Sequence, residues 1–440
     1  MKLCVANARR GRGMQFNNVF YKEKKSNIIG KYDNLLTLSV CLLASAFPCA
    51  VYINPEAGSA FFNLAVSMIP FIVFMAFAEK QYSGEIDLIG FIVILGFFSK
   101  ELTFLMNFNS FTSEGLILQV TEDFFTIGFL FFIYYGLRSI EYDNGQIMKF
   151  HLSMVVIAFA FSVYNLFINF DQLSYLQSFS ARYLIKFSSF FVNVNNFGLL
   201  LYVSLMAGTY LLMNLYSKEQ KSKVKVRILT ITLFFIFINL ILTFSRTTIL
   251  STLVFFIVFA ILRRRNIQGL YAVAAIAVFL IGIMQIEVVS DFVNQYIFKT
   301  DQGLSNRDRV WAFGFELIKE RPLFGYGFNH GGALLQEYMG FSGYHNIFIQ
   351  ALISGGVFWL VIFVSFIIFS IINGIQVYKI NTVNGSLAIA SILSFLVYGM
   401  FEGEELFKFG LFGMMLTTYV IIMPIIFLKY KQGEEIYAKK

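Results

Sequence analysis

Apolar positions in this chain run together in long unbroken blocks; they neither alternate nor keep to one helical face. A helix needs about 20 mostly apolar residues to cross roughly 30 Å of hydrocarbon, and about twelve blocks reach that scale. The first six lie near Leu35 to Ile53, Ser59 to Ala78, Leu88 to Met106, Leu116 to Leu137, Met148 to Phe170 and Phe190 to Tyr216. The second six lie near Val226 to Phe244, Thr247 to Leu262, Gly269 to Ile286, His345 to Ile372, Ser386 to Phe401 and Phe407 to Leu428. The pattern predicts an all-α polytopic membrane protein: a tail over residues 1–32, a bundle over 33–428 and a second tail over 429–440.

One polar interval is much longer than the rest. Residues 287–344 form a large loop, and connections of that length in compact proteins usually carry function. Inside it, Ser305 and Asp308 have capping-box spacing, so a short helix is expected to follow. Trp311, Phe315 and Ile318 share one face of that helix, and Arg321-Pro322 ends it. Beyond lie Gly325, Gly327, Gly331 and Gly332, a backbone able to fold back toward the membrane.

Composition agrees with the pattern: 58% of residues are apolar and 14% charged, with 55 Phe and five Pro. A net charge of +8 does not signal nucleic acid, because Lys and Arg gather in alternate loops, as the positive-inside rule requires. Clusters at Lys218 to Arg227, at Arg263 to Arg265 and at the C-terminus place both termini on the cytoplasmic side of the cell membrane. The 287–344 loop then faces outward. The first span is too long, and too soon followed by another, to be a cleaved signal peptide. Cys4, Cys41 and Cys49 lack ligand spacing and read as packing residues.

Charges on the outer side carry the chemical information. Arg246, in "TFSRTT", sits at or just below the outer membrane surface, where an arginine costs about 2 to 3 kcal/mol unless a partner or wet cavity receives it. Arg307, Arg309 and Arg321 lie in the large loop, and Arg182 and Lys186 precede the sixth span. A guanidinium fork matches phosphate oxygens, so converging arginines suit a lipid-linked diphosphate; ion pairing or snorkelling explains a single arginine equally well. Lys100-Glu101 and Glu122-Asp123 read as paired charges. Asn193, Asn195 and Asn196 fit sugar hydroxyls or neighbouring helices, and Glu402, Glu404 and Glu405 read as a solvated acidic turn.

His345 and Asn346 stand where the large loop meets an apolar run, in a chain with three histidines. A helix N-terminus disfavours positive charge on the ring, leaving an imidazole that can accept a proton from a hydroxyl. Capping of the helix by the pair is the alternative. His330, in a Gly-rich turn, is a weaker candidate, and His151 falls on the cytoplasmic side. No nucleotide-binding or metal-ligand motif is present, so no cofactor is expected.

Together "SNRDRVWAFGFELIKERPLFGYGFNHG", "YHNIFIQALISGG" and "TFSRTT" resemble the signature region of the O-antigen ligase and Wzy-type polysaccharide polymerase superfamily. The resemblance covers roughly Asn193 to Leu360; where family members often carry an acidic residue before the Gly pair, this chain has Ser354. It implies a GT-C-like bundle and a metal-independent, inverting glycosyltransferase that takes undecaprenyl-diphosphate-linked oligosaccharide at the outer membrane face. Matched residue by residue, His345 would be the base. Arg246, Arg307 and Arg182 would hold diphosphate, with Arg309, Arg321, Asn346 and His330 as weaker substrate contacts. A chain-length regulator and a flippase would be its protein partners, for capsule or O-antigen synthesis. A polymerase is the leading reading and a ligase of the same fold the nearest alternative. A flippase or transporter is the rival from another class, although neither internal repeats nor broken helices are evident.

Overall fold

The computed structural model describes residues 95–96, 98–99, 102–107, 144–171, 187–189, 191, 193–217, 223–263, 307–328, 330–341, 343–403, 406 and 411–428. The spans expected near Leu35, Ser59, Leu116 and Gly269 lie outside the described residues. So do the three cysteines, both tails, residues 287–306, Lys100-Glu101, Glu122-Asp123, Arg182, Lys186, Glu404 and Glu405.

Every regular element among the described residues is helical. The elements are α1 (Asn144–Ile168), α2 (Val194–Ser217), α3 (Lys223–Leu242), α4 (Arg246–Leu262), α5 (Arg307–Glu320), α6 (His330–Met339), α7 (Ile347–Ile380), α8 (Thr382–Gly399) and α9 (Leu411–Thr417). A π turn over Thr418–Ile422 continues α9. Five of these, α1, α2, α3, α7 and α8, are long and apolar enough to cross a membrane; Arg246–Leu262 and Met415–Leu428 are shorter apolar helices. The expected dozen spans and the GT-C-like arrangement extend over residues beyond those described.

Burial runs opposite to that of a water-soluble protein. In α2, 78% of the span is buried, against 17% in α3, although α3 is the more apolar. The more apolar helix is thus the one turned outward, which suits hydrocarbon as the surrounding solvent. α2 packs against α1, α3 and α4, and α8 against α4 and α7, around rings such as Tyr202, Phe197, Phe363 and Phe395.

Polar side chains tie the helices where no water can compensate. Asn165 of α1 donates to Asn239 of α3 at 3.0 Å, and its own Oδ1 accepts from the Ser189 amide at 2.9 Å and from Asn169 at 3.0 Å. The segment leading into α2 is thereby fastened to α1 and α3.

The loop helices do not stand free. Val310, Gly314 and Leu317 are the buried residues of α5, and they join Tyr326, Leu335, Tyr344, Ile349 and Ile353 in a second small core. Of the expected face, Trp311 and Ile318 pack against this core, whereas Phe315 is 50% exposed and Gly314 lies against Ile349, Ile353 and Tyr344. Absence of a side chain at Gly314 lets α5 approach α7 closely, a contact that a search for large apolar residues overlooks. Gly331 and Gly332 lie in helix α6, not in a flexible turn, and His330 is its first residue.

Between α5 and α6, the Pro322–Gly327 turn enters a break in α7. At Gly356 the backbone leaves helical geometry with φ +67°. Freed carbonyls of Ile353 and Ser354 accept from the Tyr326 and Gly327 amides at 2.7 and 2.9 Å. The Val357 and Phe358 amides donate to the Pro322 and Leu323 carbonyls at 2.8 and 3.3 Å. The turn thus satisfies groups that a broken membrane helix leaves open. A broken helix is present, then, contrary to the sequence expectation. Its polar groups are occupied by the chain itself, unlike those of a transporter's ion site.

Candidate active site

His345 lies two residues before α7, and its neighbours are fixed on both sides. Asn346 caps α7: its Oδ1 accepts from the Phe348 and Ile349 amides at 2.9 and 3.1 Å, and its Nδ2 donates to the Met400 carbonyl at 3.2 Å. On the other side, the Tyr344 carbonyl accepts from Trp311 Nε1 at 2.8 Å and the Tyr344 hydroxyl donates to the Gly331 carbonyl at 2.9 Å. Between them His345 takes φ +49°, a left-handed conformation uncommon for residues other than glycine. Such backbones persist where the surroundings over-determine them, and they concentrate at functional sites.

The ring meets Glu402. His345 Nδ1 is 3.4 Å from Glu402 Oε2, while Glu402 Oε1 accepts from Arg307 at 3.3 Å and from Asn195 Nδ2 at 3.1 Å. One carboxylate therefore gathers the start of α2, the start of α5, the entrance to α7 and the end of α8. The Glu402 side chain is 9% exposed and that of His345 36%, so the imidazole is accessible where its partner is not. Arg307 also lies over the Phe401 ring, 5.9 Å from its centroid.

Glu402 follows α8, and its amide donates to the Tyr398 carbonyl at 3.0 Å. The C-terminal end of a helix is an unfavourable place for an anion, and burial adds to the cost. Two cationic or polar partners and the imidazole offset it. This corrects the solvated acidic turn expected from sequence, since the first of the three glutamates is inside the fold. One sequence signal separates it from the others: Glu402 directly follows the apolar Phe401, whereas Glu404 and Glu405 lie beyond Gly403.

The other candidates take several places. Arg246 opens α4 and is partly buried. Its neighbour Ser245 is the helix N-cap residue but makes no side-chain capping bond, and its buried hydroxyl has no hydrogen-bond partner among the described residues. The start of α4 adjoins the start of α2, because a Cβ on Gly198 would lie 2.6 Å from Thr248 Oγ1. Arg246 is therefore at the same end of the bundle as Asn195 and Glu402. Arg309 is exposed. Arg321 directly follows α5, four turns and about 20 Å from Arg307, where it donates to Asn107 and lies 4.7 Å over the Tyr326 ring. Asn346 is occupied with capping. His151 is buried in α1, near the opposite end, against Tyr210.

Two phenols near His345 stay protonated at neutral pH. Tyr326 is pushed up to about 12 by burial, with the Glu320 carboxylate it donates to at 2.5 Å adding to the effect. Burial also raises Tyr344, and neighbouring Tyr326 raises it further. Neither supplies a base at neutral pH.

No curated protein matches the chain. The family model described as O-antigen ligase (Wzy_C) matches residues 231–364, from within α3 to just past the Gly356 break. That stretch contains Arg246, Arg307 and His345, while Asn195 and Glu402 reach the cluster from outside it. Over residues 231–364, therefore, the chain carries the O-antigen ligase type of sequence that its motifs resemble.

Proposed function

We propose that the protein is a polysaccharide polymerase that joins lipid-diphosphate-linked oligosaccharide units at the outer face of the cytoplasmic membrane. The observation that carries this reading is the convergence of His345, Arg307 and Asn195 on the buried Glu402 carboxylate. An imidazole that donates Nδ1–H to Glu402 keeps a lone pair on Nε2. Apo catalytic hydrogen bonds are often as long as the 3.4 Å found here and tighten with substrate.

Nε2 takes the proton of an acceptor hydroxyl as its oxygen attacks the anomeric carbon of the donor. The bond from that carbon to the diphosphate oxygen breaks, and its electron pair leaves with the diphosphate. Arg307 stands beside the base to receive that charge. Arg246 and the amides opening α4, beside the unpartnered Ser245 hydroxyl, suit a second phosphate contact. Arg182 is the third diphosphate contact that the family resemblance implies.

A ligase that transfers finished glycan to a different acceptor is the second reading, favoured by the description of the matched family model. The experiment that tests both replaces the native protein with His345→Ala in its host and measures the size profile of lipid-linked and surface glycans. Single repeat units accumulating without long chains support the polymerase. Long lipid-linked chains accumulating without transfer support the ligase, and an unchanged profile refutes the base assignment.

A further inference from the structure

Gln350 lies on the second turn of α7, where its amide nitrogen donates to the Asn346 carbonyl at 2.9 Å. Its side chain is partly buried. Nε2 donates to the Ser354 hydroxyl one turn further on, at 3.3 Å, and Ser354 is fully buried. That contact fixes one end of the amide. The other end lies beside Gly403 and the His345 backbone: a Cβ on Gly403 would lie 3.9 Å from Gln350 Oε1, 3.6 Å from the His345 amide nitrogen and 4.0 Å from His345 Cα. Gly403 directly follows Glu402. Around Gly403, therefore, stand the backbone of His345, the turn that bears Glu402 and one amide oxygen.

Among the described residues that oxygen accepts no hydrogen bond. An acceptor held half-buried and unfilled gains from any ligand that donates to it. It also selects which ligand. An amide oxygen offers only lone pairs and repels a phosphate oxygen, so it cannot serve the diphosphate. It suits a hydroxyl. The hydroxyl that reacts must reach Nε2 of His345, so the one that reaches Gln350 is a neighbour on the same ring.

We propose that Gln350, held by Ser354, binds the acceptor glycan by accepting a hydrogen bond from a hydroxyl adjacent to the attacking one. The acceptor's terminal sugar accordingly carries two neighbouring free hydroxyls, and Gln350 sets which of them attacks. This rests on the glycosyl-transfer reading above.

The test uses the full-length protein in detergent with lipid-linked glycan extracted from cells carrying His345→Ala, and acceptors whose terminal sugar lacks one hydroxyl at a time. Gln350→Ala is expected to raise the KM for intact acceptor about two- to tenfold, the worth of one neutral hydrogen bond, with kcat changed less. Gln350→Glu, which keeps an acceptor oxygen, retains more of the affinity; Ser354→Ala, which frees the amide, loses part of it. One deoxy acceptor should cost the wild type the same factor, and cost Gln350→Ala nothing more. Wild-type KM in Gln350→Ala, or losses that multiply with every deoxy acceptor, would overturn the inference alone. If wild-type protein does not elongate the extracted glycan while His345→Ala is equally inert, the glycosyl-transfer reading falls and this inference with it.

Discussion

His345 Nδ1 and Glu402 Oε2 stand 3.4 Å apart although 57 residues separate them in sequence. In the proposed reaction the carboxylate orients the ring and favours the tautomer that leaves Nε2 open. Glu402→Gln keeps the size of the side chain but can present a donor to Nδ1, favouring the wrong tautomer. Its turnover number should fall about a hundredfold or more, with protein yield in the membrane unchanged. Wild-type turnover would mean that Glu402 only anchors Arg307.

Arg246 and Arg307 belong to the same end of the bundle, and each is expected to act through its planar fork. Arg246→Lys and Arg307→Lys retain the charge but lose bidentate geometry. Both should lower turnover about tenfold or more, an order of magnitude being the worth of one charge-assisted hydrogen bond. Full activity in either would show that neutralising charge is all that position does.

The break in α7 depends on Gly356. A Cβ there would lie 2.2 Å from the Leu323 carbonyl oxygen, on a backbone at φ +67°. Gly356→Ala should therefore cost about 2 kcal/mol or more, combining left-handed strain with displacement of the inserted turn. Thermal unfolding in detergent, followed by fluorescence of Trp311 and Trp359, measures it. An unchanged midpoint would mean that the turn and the break are not mechanically joined.

One turn from the end of α1, Asn165 bonds to α3 and to the segment entering α2. Asn165→Leu removes the interhelical bond and strands its partners, at an expected cost of about 1 to 2 kcal/mol. The unfolding midpoint in detergent should drop accordingly. An equal or higher midpoint would show that apolar packing replaces the polar ladder without loss.

Glycosyl transfer from a diphosphate needs cations at the leaving group and one base, and on the proposed reading the arginines and His345 supply them. EDTA should accordingly leave purified protein active. Loss of activity restored by a divalent metal would contradict this mechanism.

Much of the fold was legible. Apolar blocks located the described spans to within about four residues, because hydrocarbon length sets the size of each block, except that α7 runs on to Ile380, beyond the expected end at Ile372. The helix opened near Arg307 and closed before Pro322 was likewise readable, since Pro322 disfavours helix at the residue before it. Its packed face was read in part: Trp311 and Ile318 lie on it, but Gly314 contributes contact by having no side chain and Phe315 is exposed. The α7 break was not legible, because its missing hydrogen bonds are supplied by a turn some thirty residues earlier.

By itself the sequence determined a many-span helical membrane protein, the loop that interrupts it and the histidine and arginines at its polar edges. These follow from local quantities: block length, charge placement and residue type. Tertiary structure alone decided that Glu402 is buried and joins His345, Arg307 and Asn195, and that Arg321 serves the bundle wall instead. A carboxylate in a turn looks alike whether water or an imidazole faces it. Only the packing of α8 against α7, and of α5 against the first turns of α7, determines which it meets.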